Sequence, residues 1–209
     1  LNDPLYRELF ATGRLPTEGL AIDLGCGRGE ALALWSRAMA LGMMAGGKRG
    51  VKTRLLGVES NPGVAESARL ALGYDADIIT GDIRSETLPS CRLVILQDVL
   101  LFLEPQEQDS LLQRIASHLE VGGLLILREP DASAVGYRTL GQFPGNALAY
   151  FYGDRNKQIY PKAGEEWKMQ LQSLGFTLES SPGIKGGWFA KSLLFARKSL
   201  VENNQCDKP

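Results

Sequence analysis

The strongest constraint on this chain is the run Gly19-Leu-Ala-Ile-Asp-Leu-Gly-Cys-Gly-Arg-Gly-Glu30. Leu20 to Asp23 is a short apolar segment ending in a carboxylate, the pattern of a buried parallel strand. Gly25, Gly27 and Gly29 follow at alternate positions, and a helical pattern begins at Glu30. A strand, a glycine turn and a helix start present bare backbone N–H groups that a nucleotide-like ligand can approach closely. A dinucleotide fingerprint, G-x-G-x-x-G, would place its third glycine where this chain has Glu30. That difference argues against a pyrophosphate seated on the helix start.

The rest of the chain repeats the strand–helix alternation. Leu55 to Glu59 reads as a second strand, with Glu59 and Ser60 at its carboxyl end. In a doubly wound sheet an acid at that point can accept hydrogen bonds from two ribose hydroxyls. Asn61-Pro62 opens the next helix. A short strand from Asp77 to Thr80 leads to Asp82-Ile83, and Leu93 to Leu96 leads to Gln97-Asp98-Val99-Leu100. Leu101, Phe102 and Leu103 form an apolar wall before a helix over residues 106–119. Leu124 to Leu127 is a fifth strand, ending in Arg128-Glu129-Pro130-Asp131. A helix over 162–174 and two closing strands, Phe176 to Ser180 and Trp188 to Arg197, complete the pattern. His118, the only histidine, lies at the far end of a crossover helix and is expected to be structural.

The 209 residues, 44% hydrophobic and 22% charged, suit one soluble α/β domain with a single large core. A net charge of −1 argues against a protein built to hold nucleic acid. No apolar run is long enough to span a membrane and no secretory signal is visible, so a cytoplasmic location is expected. Cys26, Cys91 and Cys206 show no paired or metal-ligand spacing, and no metal site is expected. We expect one domain over residues 1–199, with an insertion over about 132–161 and a disordered tail over 200–209.

The glycine run after Asp23 resembles motif I of class I S-adenosylmethionine-dependent methyltransferases. The order of Glu59, Asp82-Ile83 and Gln97-Asp98 is similar to that family's later motifs. The resemblance runs from about Leu20 to Lys198. It implies a Rossmann-like sandwich around a mostly parallel seven-stranded sheet with an antiparallel terminal hairpin. It also implies S-adenosylmethionine as cofactor, held by Asp23, Gly25, Cys26 and Gly27 at its methionine part and Glu59 with Ser60 at the ribose. Asp82 and Ile83 would take the adenine, and Gln97 and Asp98 would line the bound cofactor. Nucleic-acid amino methyltransferases carry Asn/Asp-Pro-Pro-Tyr/Phe where this chain has Gln-Asp-Val-Leu, which lowers that reading.

Three charges at the end of the fifth strand are the first candidates for substrate chemistry. Glu129 or Asp131 would be the base, and Arg128 a substrate contact. Tyr6, Tyr137, Arg138 and Trp188 stand in segments suited to cover a flat, apolar molecule. A narrower resemblance comes from Arg128-Glu-x-Asp-Ala-Ser133, Glu166-Trp167 and Gly187-Trp-Phe-Ala190. These look like small methyltransferases of bacterial aryl-polyene and xanthomonadin-type pigment clusters. That implies an aromatic or acyl-type small-molecule substrate, one that an acyl carrier protein can present. The alternatives are a nicotinamide-dependent oxidoreductase and a non-catalytic binding protein of the same fold.

Overall fold

The computed structural model describes residues 14–42, 52–136, 158–179 and 190–199. In chain order these form β1 (Glu18–Leu24), α1 (Glu30–Ala40), β2 (Lys52–Glu59), α2 (Pro62–Leu72), β3 (Asp77–Thr80) and β4 (Cys91–Gln97). A single 3₁₀ turn (Leu100–Phe102) follows, then α3 (Pro105–His118), β5 (Leu119–Pro130), α4 (Gly164–Ser173), β6 (Phe176–Glu179) and β7 (Lys191–Lys198). The seven strands make one sheet in the order β3-β2-β1-β4-β5-β7-β6. The pairs among β1 to β5 are parallel, and β7 enters antiparallel between β5 and β6. This is the expected mostly parallel sheet with an antiparallel closing pair.

Alternation along the strands explains why both faces are covered. Ile22, Leu24, Val94, Leu96, Leu125 and Leu127 pack on one face with Leu111, Leu112 and Ile115 of α3 and Trp167 and Leu171 of α4. Ala21, Leu93, Ile95, Leu124, Ile126 and Phe195 pack on the other with Leu32, Trp35 and Ala38 of α1 and Ala68 and Leu72 of α2. Successive strand side chains point to opposite faces, so a strand apolar at every position must lie between two helical layers.

Local signals place the helices. Asn61 Oδ1 accepts the Gly63 and Val64 N–H groups at 3.0 and 3.1 Å, capping α2, and Pro62 occupies its first turn. Glu107 accepts the Glu104 N–H at 2.9 Å where α3 begins behind Pro105. The strand order reverses between β1 and β4, so the loops after these two strands diverge and open a crevice at the carboxyl edge of the sheet. Among the described residues no helix is long and apolar enough to cross a membrane.

Candidate active site

The crevice floor is the end of β1. Asp23 is 3% exposed, and burial, reinforced by the neighbouring Glu59 charge, pushes its pKa up to about 7, with Arg128 pulling it back. After it the chain turns sharply. The Gly25 and Cys26 N–H groups both donate to the Val58 carbonyl, at 2.8 and 3.0 Å, fastening the glycine turn to β2. Gly25 has a φ of 78°, and a Cβ there would meet Val99 Cγ2 at 2.5 Å. Only glycine satisfies both conditions. Cys26 is buried, and desolvation with the charges of Asp23 and Glu59 raises its thiol to about 12, which makes it inert.

Glu59 ends β2 beside this turn. Its carboxylate accepts the Gly27 N–H at 3.1 Å and the Asn61 N–H at 2.8 Å. Asp82, after β3, is gripped by Arg84, whose backbone N–H donates to Oδ1 at 2.9 Å and whose Nε donates to Oδ2 at 2.9 Å. The side-chain hydrogen bond from Arg84 holds Asp82 below the usual carboxylate range. Arg84 also reaches Glu107 at 3.0 Å.

Gly25, Glu59, Ser60, Asp82, Ile83, Gln97 and Asp98 line one cleft of about 430 Å³, a volume suited to a small ligand. The structure therefore brings together most of the residues expected to hold a cofactor. Asp23 and Cys26 sit in the floor beneath it, and Gly27 enters through its bond to Glu59. Val99, Phe102 and Leu103 supply the apolar wall. Arg84, which carried no sequence signal, lines the cleft as well.

The end of β5 departs from expectation. Glu129 is 1% exposed, and its carboxylate accepts the N–H groups of Val99, Leu100 and Leu101 at 2.9, 2.8 and 3.3 Å. It caps the 3₁₀ turn from below and lines neither this cleft nor the one bounded by Asp131. Burial pushes its pKa up to about 8 against the pull of those three donors. Glu129, one of the two acids expected as a base, is thus committed to three backbone donors. Gln108 completes the clamp, its Nε2 lying 2.9 Å from the Leu100 and Tyr160 carbonyls and 3.1 Å from that of Leu103.

Arg128 points to the other side of the strand, and its Nη2 donates to Asp98 Oδ2 at 2.7 Å. Lys191, at the start of β7, donates to the same oxygen at 2.7 Å. Asp98 carries a φ of 56°, rare outside glycine. Asp131 accepts the Ser133 N–H and hydroxyl at 2.9 and 2.6 Å and the Gly164 N–H at 3.2 Å. Burial opposes its ionisation, but these bonds together hold its pKa below the ordinary value. An acid so held is a poor base. Tyr6, Tyr137, Arg138 and Trp188 lie outside the described residues, as do the segment before Arg14 and the tail.

Comparison with known proteins bears on this geometry. The fold superposes on magnesium protoporphyrin IX methyltransferase of Synechocystis PCC 6803, solved with S-adenosylhomocysteine bound. The TM-score is 0.69 and the identity 21%, over 93% of this chain and 80% of that one. A methyltransferase of Methanosarcina mazei matches with a TM-score of 0.68 and 17% identity, over 95% of this chain and 98% of that one. This chain has the class I S-adenosylmethionine-dependent methyltransferase fold. In sequence, the carboxy-S-adenosyl-L-methionine synthase of a Psychrobacter species is 33% identical over 126 residues, 56% of this chain and 44% of that protein. The chain thus spans less than half the length of this curated relative. No family model matches. Neither the pigment-cluster resemblance nor carrier-protein presentation finds support in these methyltransferase-fold relatives.

Proposed function

We propose that this methyltransferase-fold chain binds S-adenosylmethionine in the cleft between β1 and β4 and transfers its methyl group to a small-molecule acceptor. The observation that carries the reading is the pairing of Glu59 with the buried Asp23 at the glycine turn. Burial first, and then the neighbouring Glu59 charge, raise the cost of ionising Asp23. A ligand bringing its own positive charge relieves that cost, and S-adenosylmethionine carries an ammonium and a sulfonium. A pyrophosphate would worsen it.

The rest of the cleft fits the same ligand. Glu59 stands where ribose hydroxyls can displace the Gly27 and Asn61 N–H groups or share its oxygens. Asp82 and Ile83 offer an acceptor and an apolar flank for a purine. Phe102 and Leu103 exclude water from the transfer point. The methyl group is already activated, so the protein's contribution is alignment and desolvation.

Calorimetric titration with S-adenosylmethionine, S-adenosylhomocysteine and the nicotinamide dinucleotides tests this. Binding of the sulfur nucleotides alone is expected, and binding of a nicotinamide cofactor alone would replace the reading with the oxidoreductase alternative. The 33% identity to a carboxy-S-adenosyl-L-methionine synthase favours one second reading, modification of the cofactor itself. Mass spectrometry separates the two. Methylated acceptor with S-adenosylhomocysteine supports transfer, and a heavier S-adenosylmethionine derivative supports the second reading.

A further inference from the structure

Among the described residues that line the first cleft, the one with Glu59, Asp82 and Asp98, Arg84 is the one cation. It lies across the carboxylate that the cofactor reading gives to the base. Asp82 Oδ1 accepts the Arg84 backbone N–H at 2.9 Å and its Nε at 3.0 Å, and Oδ2 accepts Nε at 2.9 Å and Nη2 at 2.5 Å. Four contacts are about as many as a carboxylate accepts. A purine amino group therefore reaches Asp82 only in exchange for part of this grip. The backbone bond to Oδ1 closes a local turn and does not depend on the arginine side chain. Oδ2, held by the guanidinium, is the oxygen open to exchange.

Helix α3 fixes the surroundings of that exchange. Arg114 Nη1 donates to the carbonyls of Ile83 and Arg84 at 3.0 and 2.7 Å, and its Nη2 donates to that of Glu86. The backbone just after Asp82 is thus pinned to the helix. About two turns earlier on the same face of α3, Glu107 Oε1 accepts Arg84 Nη1 at 3.0 Å while its Oε2 accepts the Glu104 N–H at 2.9 Å. The bond from Glu104 holds the Glu107 carboxylate in place whether or not Arg84 uses it. The Arg84 side chain is 52% exposed and has room to turn. A pinned loop and a fixed second carboxylate leave the guanidinium as the movable part.

Resting on the cofactor reading above, we propose that Arg84 is a specificity-determining residue, which competes with the 6-amino group of the bound purine for Asp82 and so sets how much that group adds to affinity. In the unliganded chain the guanidinium bridges Asp82 and Glu107. When adenine enters, its amino group donates to Asp82 Oδ2, and Arg84 leaves Asp82 while keeping Glu107. Its charge never loses a carboxylate partner, and an exposed ion pair contributes little, so one hydrogen bond from the base is enough to displace it. The return of Arg84 to Asp82 then favours departure of the spent nucleotide. A purine with no donor at that position leaves the bridge closed.

The test is calorimetric titration of the full chain, Arg84→Ala, Glu107→Gln and the double variant. The probes are S-adenosylhomocysteine and its analogue with hydrogen in place of the 6-amino group. Arg84→Ala should bind S-adenosylhomocysteine about two- to fivefold more tightly, the worth of an exposed ion pair, and the analogue no more tightly than the wild type does. Glu107→Gln keeps an acceptor for the Glu104 N–H and removes the charge that receives Arg84. It should weaken S-adenosylhomocysteine binding about twofold in the wild-type background and have no effect in the Arg84→Ala background, a dependence that a merely structural role would not show. Weaker or unchanged nucleotide binding by Arg84→Ala, an equal gain for the analogue, or a Glu107→Gln effect independent of Arg84 would overturn the proposal and leave the cofactor site standing. Failure of the nucleotide to bind any of the four proteins would overturn both.

Discussion

The two ends of the same sheet treat charge in opposite ways. At the amino edge of β4 and β5, Arg92 pairs with Glu120 at 2.6 Å with both side chains well exposed. Arg197 and Lys198 there donate to the carbonyls of Gly122 and Leu119, and His118 bonds within its own helix end. At the carboxyl edge Asp23 and Glu129 are almost wholly buried, and both have pKa values raised by that burial. Exposed pairs cost and contribute little. Burying a carboxylate costs several kcal/mol unless the surroundings compensate. A fold tolerates that cost where position matters more than stability, and here both acids lie under or beside the first cleft.

Substitutions at the two ends should separate sharply. Glu129→Leu leaves two buried N–H groups and one part-buried one without their acceptor and should destabilise the protein by about 3 kcal/mol, read by urea unfolding. It should also weaken nucleotide binding, because the 3₁₀ turn carries Val99, Phe102 and Leu103 in the cleft wall. Asp23→Asn should reduce affinity for S-adenosylmethionine by about 10- to 100-fold, or about 1.4–3 kcal/mol. Unliganded stability should hold or rise in that variant, since a desolvated charge is gone. Loss of stability with unchanged affinity would make Asp23 a purely structural acid.

Acidity provides a milder version of the same contrast. Asp23 and Glu129 have folded pKa values of about 7 and about 8, above the ordinary carboxylate values of 3.8 and 4.5. Between those limits the folded state holds protons that the unfolded chain has released. Stability of the unliganded protein should therefore fall as pH rises from about 4 toward 8, as measured by thermal melts across that range. Affinity for S-adenosylmethionine should move the other way, weakening as pH drops below about 7 and Asp23 takes up its proton. The smallest effect belongs to the amino edge. Arg92→Ala should cost about 1 kcal/mol or less in urea unfolding and leave nucleotide binding unchanged.

The strands and crossover helices were legible because short apolar runs, helical spacing and glycine punctuation are local signals. Boundaries moved where tertiary contacts extended an element. β5 runs from Leu119 through Gly122 and Gly123 to Pro130, well beyond the apolar core Leu124 to Leu127 that marked it. α4 begins at Gly164, and Lys162 stands before it with its ammonium over the Trp167 ring. The glycine turn, Glu59 and Asp82-Ile83 were readable because each sits at a strand end, where topology alone brings them together. The fate of Glu129 was not legible, because an apolar run does not say which face each following side chain takes. Arg128 and Glu129 are neighbours and must point to opposite faces, so only one of them can reach Asp98. Lys191 carried no signal because it acts on Asp98, 93 positions away, and Gln108 carried none because it ties Tyr160, 52 positions away, to the turn at Leu100 and Leu103.

The measurement that tests the cofactor site most directly is S-adenosylhomocysteine affinity of the wild-type chain and of Glu59→Ala, titrated side by side. Loss of a charged acceptor for two hydroxyl hydrogen bonds should weaken binding by about 1.5–3 kcal/mol, with the fold intact by circular dichroism. Equal affinity in the two proteins would place the nucleotide somewhere other than the cleft beside Glu59.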